Sequence, residues 1–365
     1  MSSPDPWIKS AEPVLPRPGT RVAAALSGGM DSTLAAKFLL EHGCDVLAFH
    51  LLLSGDERSS EPAQDAARLL GLDLEILDLR SDFEKRVVEP FVQGYAQGRT
   101  PNPCVLCNPA IKFGLLWEHA RKRGAERLAT GHYARRLVPP AEAGAHLARA
   151  RDRVKDQSYF LCRLPRTAIA AACFPLAELK KAEVLKQALA LGWRFQAESQ
   201  DICFLAGRSY ADFVLSRLPA EAVQLGEIVD TRGRVLGRHR GLIHYTVGQR
   251  RGLSLAGPEP YYVLFLQPET NRVVIGAKAE AVSPGLVLSD LVFSRRPPGK
   301  KFEALVQIRS RHRPALARVT LGPNEGRAEA VFLEPQPAVT PGQAAALYDG
   351  DVLMGGGWIE AALGA

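Results

Sequence analysis

No run of about 18 apolar residues occurs in the 365-residue chain, which argues against a membrane-spanning helix. The first 19 residues, MSSPDPWIKSAEPVLPRPG, lack an apolar h-region and are broken by proline. They read as a flexible tail, not a secretory leader, and a cytoplasmic protein is expected. No period of roughly 20–50 residues repeats, so a solenoid is not expected. Gly followed by Lys-Ser/Thr in the Walker A spacing is absent, which removes the usual γ-phosphate P-loop. Cysteine is scarce: Cys44, Cys104, Cys107, Cys162, Cys173 and Cys203. Without a leader they do not suggest a disulfide framework. Cys44, Cys162 and Cys173 lie among apolar neighbours and read as small core residues. Acidic residues are missing locally. Between Arg232 and Arg251 there are six Arg and no acid, and between Arg295 and Arg318 eight Lys/Arg against Glu303 alone.

What is present fits a folded chain with more than one core. Hydrophobic residues make up 46% and charged residues 23%, and at this length two or three domains are the natural prior. The net charge of +7 is modest, but its two clusters in one half of the chain point to a polyanionic partner.

Residues 21–135 alternate strand and helix. Strand-like runs at 21–26, 44–53, 72–79 and 127–130 are separated by helical patterns at 32–42, 63–70, 81–97 and 108–123. Ser81 and Glu84 read as a capping box. This alternation predicts a parallel sheet covered by helices, with ligands at the carboxyl ends of its strands. Residues 136–150 read as a loop leading to a short strand, and helical patterns return at 165–173 and 177–191. After about residue 208 short apolar runs between turn residues predict mostly β structure in two modules.

Two stretches carry chemistry. SGGMDS, Ser27–Ser32, follows an apolar strand and opens a helix. Its glycines allow an anion-binding nest of N–H groups, and the helix start adds donors and a positive dipole end. An ordinary strand–helix turn with Asp31 or Ser32 as N-cap accounts for the same residues. TPNPCVLCN, 100–108, sets Cys104 and Cys107 three apart, a spacing open to metal binding, a disulfide or sulfur chemistry.

SGGMDS resembles the PP-loop of the ATP-pyrophosphatase superfamily. With TPNPCVLCNPAIKFG (100–114), ATGHYAR (129–135), KDQSYFL (155–161), DICF (201–204), YTVGQRRGL (245–253) and TPGQAAALYDGDVLMGGGWI (340–359), the order of motifs is similar to the bacterial tRNA-specific 2-thiouridylase family from about residue 20 to 361. The resemblance implies an α/β fold: a PP-loop (adenine nucleotide alpha hydrolase-like) parallel-sheet domain over 20–208, a small central β-rich domain over 209–284, and a C-terminal β-barrel with tRNA contacts over 285–362. It implies ATP-dependent 2-thiolation of the wobble uridine, position 34, of tRNA(Lys), tRNA(Glu) and tRNA(Gln). ATP, with Mg2+, would be held by Ala25, Leu26, Ser27, Gly28, Gly29, Met30, Asp31, Ser32, Leu51 and Gly131. The target base would meet Asn102, Pro103 and Cys104. Other tRNA contacts would be His132, Lys155, Asp156, Gln157, Arg311, His312 and Gln343. Cys107 matches the first catalytic cysteine and Cys203 the second, which carries a persulfide and pairs with Cys107 in a disulfide. The ESQD stretch (198–201) before Cys203 departs from the family's usual sequence, but DICF keeps the register. A cysteine desulfurase or sulfur-relay protein is implied as donor. Cys104 leaves an alternative in which Cys104, Cys107 and Cys203 hold a [4Fe-4S] cluster, and a structural zinc site is the plainer use of the same thiols.

Overall fold

The computed structural model describes residues 15–55, 57–138, 144–192, 202–219, 221, 223–253, 255, 257, 259–324 and 326–364. The expected N-terminal tail lies largely outside them, as does the ESQD stretch.

The first sheet is built by alternation. Strand β1 (Arg21–Ala25) leads into helix α1 (Met30–Glu41), β2 (Asp45–Leu52) into α2 (Glu61–Leu70), and β3 (Leu74–Asp78) into α3, which runs on through Arg80–Phe83, Glu84–Val88 and Glu89–Ala96. Helix α4 is likewise continuous through Pro103–Cys107, Asn108–Leu116 and Trp117–Lys122, and β4 (Arg127–Ala129) follows. The capping box does not form. Helix α3 starts at Arg80, whose N–H is received by Asp78 Oδ1 at 3.1 Å, so Ser81 is already inside the first turn. Helix α1 starts two residues before the expected Ser32, with Gly29 at its N-cap.

Where residues 136–150 are expected as a loop leading to a short strand, strands β5 (Ala134–Leu137) and β6 (His146–Arg149) pair as a hairpin. After helix α5 (Arg166–Ala171), strand β7 (Ala172–Cys173) completes a five-stranded parallel sheet in the order β3-β2-β1-β4-β7. Helix α6 (Lys181–Ala190) packs beside α1. The extension of both neighbours away from β1 makes its carboxyl end the crevice of the sheet.

Beyond α7 (Tyr210–Leu215), strands β8 (Gly226–Val229), β9 (Val235–His239), β10 (Tyr262–Gln267) and β11 (Arg272–Gly276) form a four-stranded sheet around Ile228, Val263 and Ile275. Strands β12 (Val282–Phe293), β13 (Lys301–Gln307), β14 (Ala315–Leu321), β15 (Ala328–Pro337), β16 (Ala344–Asp349) and β17 (Val352–Ala362) close into a barrel, because β12 pairs with both β15 and β17. The β5–β6 hairpin joins this barrel, not the parallel sheet: Leu147 and Ala148 pair with Leu353 and Val352. Cys44, Cys162 and Cys173 are buried.

The barrel also grips the loop ahead of α4. Thr100 N–H donates to Pro341 O at 2.9 Å, Gln343 Nε2 donates to Thr100 O at 2.9 Å, and Tyr159 Oη donates to Ala344 O at 2.9 Å. Gly342, at φ +91°, approaches so closely that a Cβ there would lie 2.9 Å from both Arg99 Cβ and Thr100 N. Gly342→Ala should therefore cost about 2 kcal/mol in stability, the strain of a left-handed non-glycine residue plus a displaced loop. A denaturant titration of wild type and variant measures this, and an unchanged midpoint would show the contact to be slack.

Candidate active site

Nucleotide-sized space opens at the carboxyl end of β1. Leu26 N–H continues the sheet by donating to Phe49 O at 2.8 Å, and buried His50 donates from Nδ1 to Leu26 O at 2.9 Å, fixing the chain just before the turn. Serine hydroxyls then hold the turn shut. Ser32 Oγ accepts from Ser27 N–H at 3.1 Å and donates to Gly29 O at 3.0 Å, while Ser27 and Ser32 hydroxyls lie 3.0 Å apart. Gly28 has φ +78°, and a Cβ on it would sit 2.3 Å from the Pro62 carbonyl carbon, so the start of α2 presses on the nest. Gly131 is equally constrained: its Cβ would lie 2.8 Å from Ser32 N. Two glycines from separate loops thus let the backbone donors at the start of α1 remain open to an anion.

The resulting cavity of about 270 Å³ has a wall of Ala25, Leu26, Phe49, Leu51 and Leu53, and polar groups from Ser27, Asp31, Ser32 and Gln157. Gly131, His132 and Lys112 complete it. An apolar slot beside a phosphate-binding turn fits an adenine nucleotide. Met30 points elsewhere, into the core with Leu34 and Leu176. Asp31 is already engaged: Lys181 Nζ lies 2.7 Å from its Oδ1 and Tyr133 Oη donates to the same oxygen at 2.9 Å. Desolvation raises the Tyr133 phenol, and the Asp31 charge adds to the shift. The hydroxyl therefore stays protonated as a donor.

Cys104 and Cys107 sit on the first turn of α4, behind Asn102 at the N-cap and buried Pro103. Cys104 is exposed and Cys107 buried. Cys203, exposed, opens a short 3-10 turn whose Phe204 packs edge to face on Phe83 and Phe91. Cys107 and Phe204 share that core, so burying Phe204 pins residue 203 beside α4. A fully buried Phe contributes on the order of 2–3 kcal/mol to this anchoring. All six cysteines are free thiols. Desolvation raises the thiols of Cys104 and Cys203, and pushes Cys107 up to about 12. The positive charge of Lys112 opposes this at all three. Among the described residues no group of three or more His, Cys, Asp or Glu is arranged to hold a metal ion, so the three cysteines do not converge here as ligands of one cluster or of zinc.

The remaining predicted residues separate into rim and frame. His132 is held by Thr130, Oγ1 to Nδ1 2.7 Å, and burial with the Lys112 charge drives its pKa well below the ordinary value, so the ring is neutral. Gln157 accepts from Tyr133 N–H at 3.0 Å on the cavity wall, and Lys155 is half-buried nearby. Asp156 turns inward, its side chain 5% exposed. It accepts from Ala150 N–H at 2.8 Å and Ser158 Oγ at 2.8 Å, which makes it part of the frame. Arg311 is exposed, whereas His312 is buried against Gln336, Nε2 to Oε1 3.0 Å, so its ring offers no open stacking face. Gln343 belongs to the loop contact described above. Lys112, Lys181, Tyr133 and His50 were not singled out from sequence, although Lys112 lies inside the 100–114 motif. Arg238, Arg240, Arg250 and Arg251 of the first basic cluster are exposed on the central module.

Family models match along the chain: a tRNA methyl transferase HUP domain over residues 20–207, a tRNA methyl transferase PRC-barrel domain over 211–277, and an aminomethyltransferase beta-barrel domain over 283–359. The chain is 40% identical over 361 residues to a protein of Geobacter metallireducens called tRNA-specific 2-thiouridylase MnmA, covering 94% of this chain and 97% of that one. Proteins of the same name from Desulforudis audaxviator and Carboxydothermus hydrogenoformans are 43% and 42% identical, covering 94% and 93% of this chain and 99% and 97% of theirs.

Two measurements check this geometry. Gly28→Ala should cost about 3 kcal/mol or more and remove nucleotide binding. Gly29→Ala, at φ −76° with its nearest contact 3.4 Å away, should cost about 1 kcal/mol or less, the loss of a favourable N-cap. Equal effects in calorimetry would refute the close approach to Pro62. Thiol mapping with iodoacetamide at pH 8 should label Cys104 and Cys203 well before Cys107. With its pKa near 12, only about one Cys107 in ten thousand is thiolate at that pH.

Proposed function

The chain belongs to the tRNA-specific 2-thiouridylase family, and on that premise we propose that it replaces the 2-oxygen of uridine 34 with sulfur in the tRNAs for Lys, Glu and Gln. It is an ATP-using tRNA-uridine 2-sulfurtransferase. Leu51 and Leu53 belong both to the wall of the nucleotide cavity and to the core that holds Cys107 and Phe204, the neighbour of Cys203, and this adjacency supports the assignment of roles.

The uracil 2-oxygen is a poor leaving group until it carries AMP. Ser27, Ser32 and the open N–H groups of the turn orient the phosphates, whose charge a Mg2+ ion bound to them would balance. The 2-oxygen attacks the α-phosphorus, an O–P bond forms and pyrophosphate leaves. Cys203, loaded as a persulfide by a cysteine desulfurase or relay protein, attacks carbon 2 through its terminal sulfur. A C–S bond forms, the C–O bond breaks and AMP departs with the oxygen. The Cys107 thiolate then attacks Cys203 Sγ, forming a Cys107–Cys203 disulfide and leaving the terminal sulfur on the base. An external dithiol reduces that disulfide for the next turnover. Asn102, Pro103 and Cys104, with His132, would receive the everted base. Arg311, Lys155 and the arginines of the central module meet backbone phosphates, a contribution that weakens with salt.

The third thiol, Cys104, is the one feature in favour of an iron–sulfur route, although the three sulfurs do not form a metal-holding group here. Cys107→Ser and Cys203→Ser should each lower thiolation by about a thousandfold or more while tRNA-stimulated pyrophosphate release persists. Thiolation retained by either variant would defeat the assignment. Iron and sulfide analysis of anaerobically purified protein decides between the routes: full activity without iron supports the persulfide, and activity that tracks iron supports the cluster.

A further inference from the structure

Lys112 is half-buried and lines the nucleotide cavity together with Ser27 and Ser32. Among the described residues no carboxylate pairs with it. Lys181, also near this site, is matched by Asp31. An ammonium drawn partly out of water is costly unless an anion comes to it.

Its position follows from an irregularity of α4. Across Asn108–Leu116 the helix widens to i→i+5 spacing, a feature that occurs frequently at functional sites. Gly114 makes this possible, since a Cβ there would lie 2.7 Å from Pro109 O, five residues earlier. At regular α-helical spacing Cys107 and Lys112 would point about 140° apart. The wider turn brings residues five apart towards one face. Lys112 therefore lines the nucleotide cavity, and its charge bears on Cys104, Cys107 and Cys203 alike.

We propose that Lys112 is a catalytic cation shared between the two half-reactions: it binds the phosphate that activates the uracil oxygen, and it draws the anionic sulfur of Cys203 towards carbon 2 of the same base. One ammonium serving both anions holds the incoming sulfur and the departing AMP close together despite their like charge. This rests on the thiolation reading for its second half. Its first half, phosphate binding, stands on the cavity alone.

The test compares wild type with Lys112→Gln and Lys112→Arg, after circular dichroism and thermal melts show that each is folded. Exposed Cys203 is alkylated by anionic iodoacetate and by neutral iodoacetamide at one pH, and the ratio of the two rates is taken. The ratio cancels the thiolate fraction and reports local potential. Lys112→Gln should lower it about threefold to tenfold, Lys112→Arg should restore most of it, and saturating ATP should lower it in wild type but not in Lys112→Gln. ATP affinity should fall about tenfold or more in Lys112→Gln. An unchanged ratio together with unchanged ATP affinity overturns the proposal. An unchanged ratio with weakened ATP binding overturns the shared role. Failure of wild type to thiolate tRNA would remove the thiolation reading and leave the phosphate-binding result intact.

Discussion

Thr100 is held at both its polar backbone atoms by the barrel, through Pro341 O and Gln343 Nε2, with Gly342 pressed against its backbone. Everything that makes sulfur chemistry feasible hangs from this clasp. The loop it fixes delivers Asn102 as the N-cap of α4, and α4 carries Cys104, Cys107 and Lys112 at set positions along its length. A short loop with two prolines has little conformational freedom of its own, so fixing one residue fixes the helix start. The barrel therefore acts on the reaction from a distance, by holding the entrance of a helix it does not otherwise form part of.

The electrostatic problem set by α4 is a conflict between packing and reactivity. Burial in the aromatic cluster brings Cys107 next to the Cys203 turn, yet the same burial opposes thiolate formation. Positive charge offsets this, and it comes from the helix that carries the thiol. At the neighbouring nest the arrangement is the reverse: neutral donors and a helix dipole prepare for negative charge, and Asp31, the one carboxylate among the described wall residues, is covered by Lys181 and Tyr133. His132 between the two regions is neutral, so it neither competes with Lys112 for anions nor adds to the charge.

Strand and helix alternation over the first 130 residues was legible because each element spends its apolar residues locally, and so was the Gly-Gly turn after β1. The β5–β6 hairpin was not. Its partner strand begins at Val352, some two hundred positions later, and no local pattern encodes that pairing. The motifs singled out Cys107 and Cys203, but not Lys112, because only the widened turn distinguishes it from any surface lysine after a cysteine. His312 shows the opposite failure. The resemblance implies a tRNA contact there, whereas the fold buries the ring against Gln336 and leaves Arg311 at the surface.

Because β6 pairs with β17, the chain's last strand is laid against a hairpin made before its middle. Arg153, just past that hairpin, is tied by a salt bridge to Asp351, at the turn before β17. Such a chain is sewn together end to midpoint. A ribosome releasing the first two hundred residues would present a hairpin edge with Leu147 bare, waiting for a strand not yet synthesised. The early portion can fold its parallel sheet during translation, but the site above it matures only when the final residues emerge. Premature termination anywhere in the barrel should thus yield a molecule with an intact nucleotide cavity and an unclasped cysteine helix, poorly placed to spend ATP on RNA.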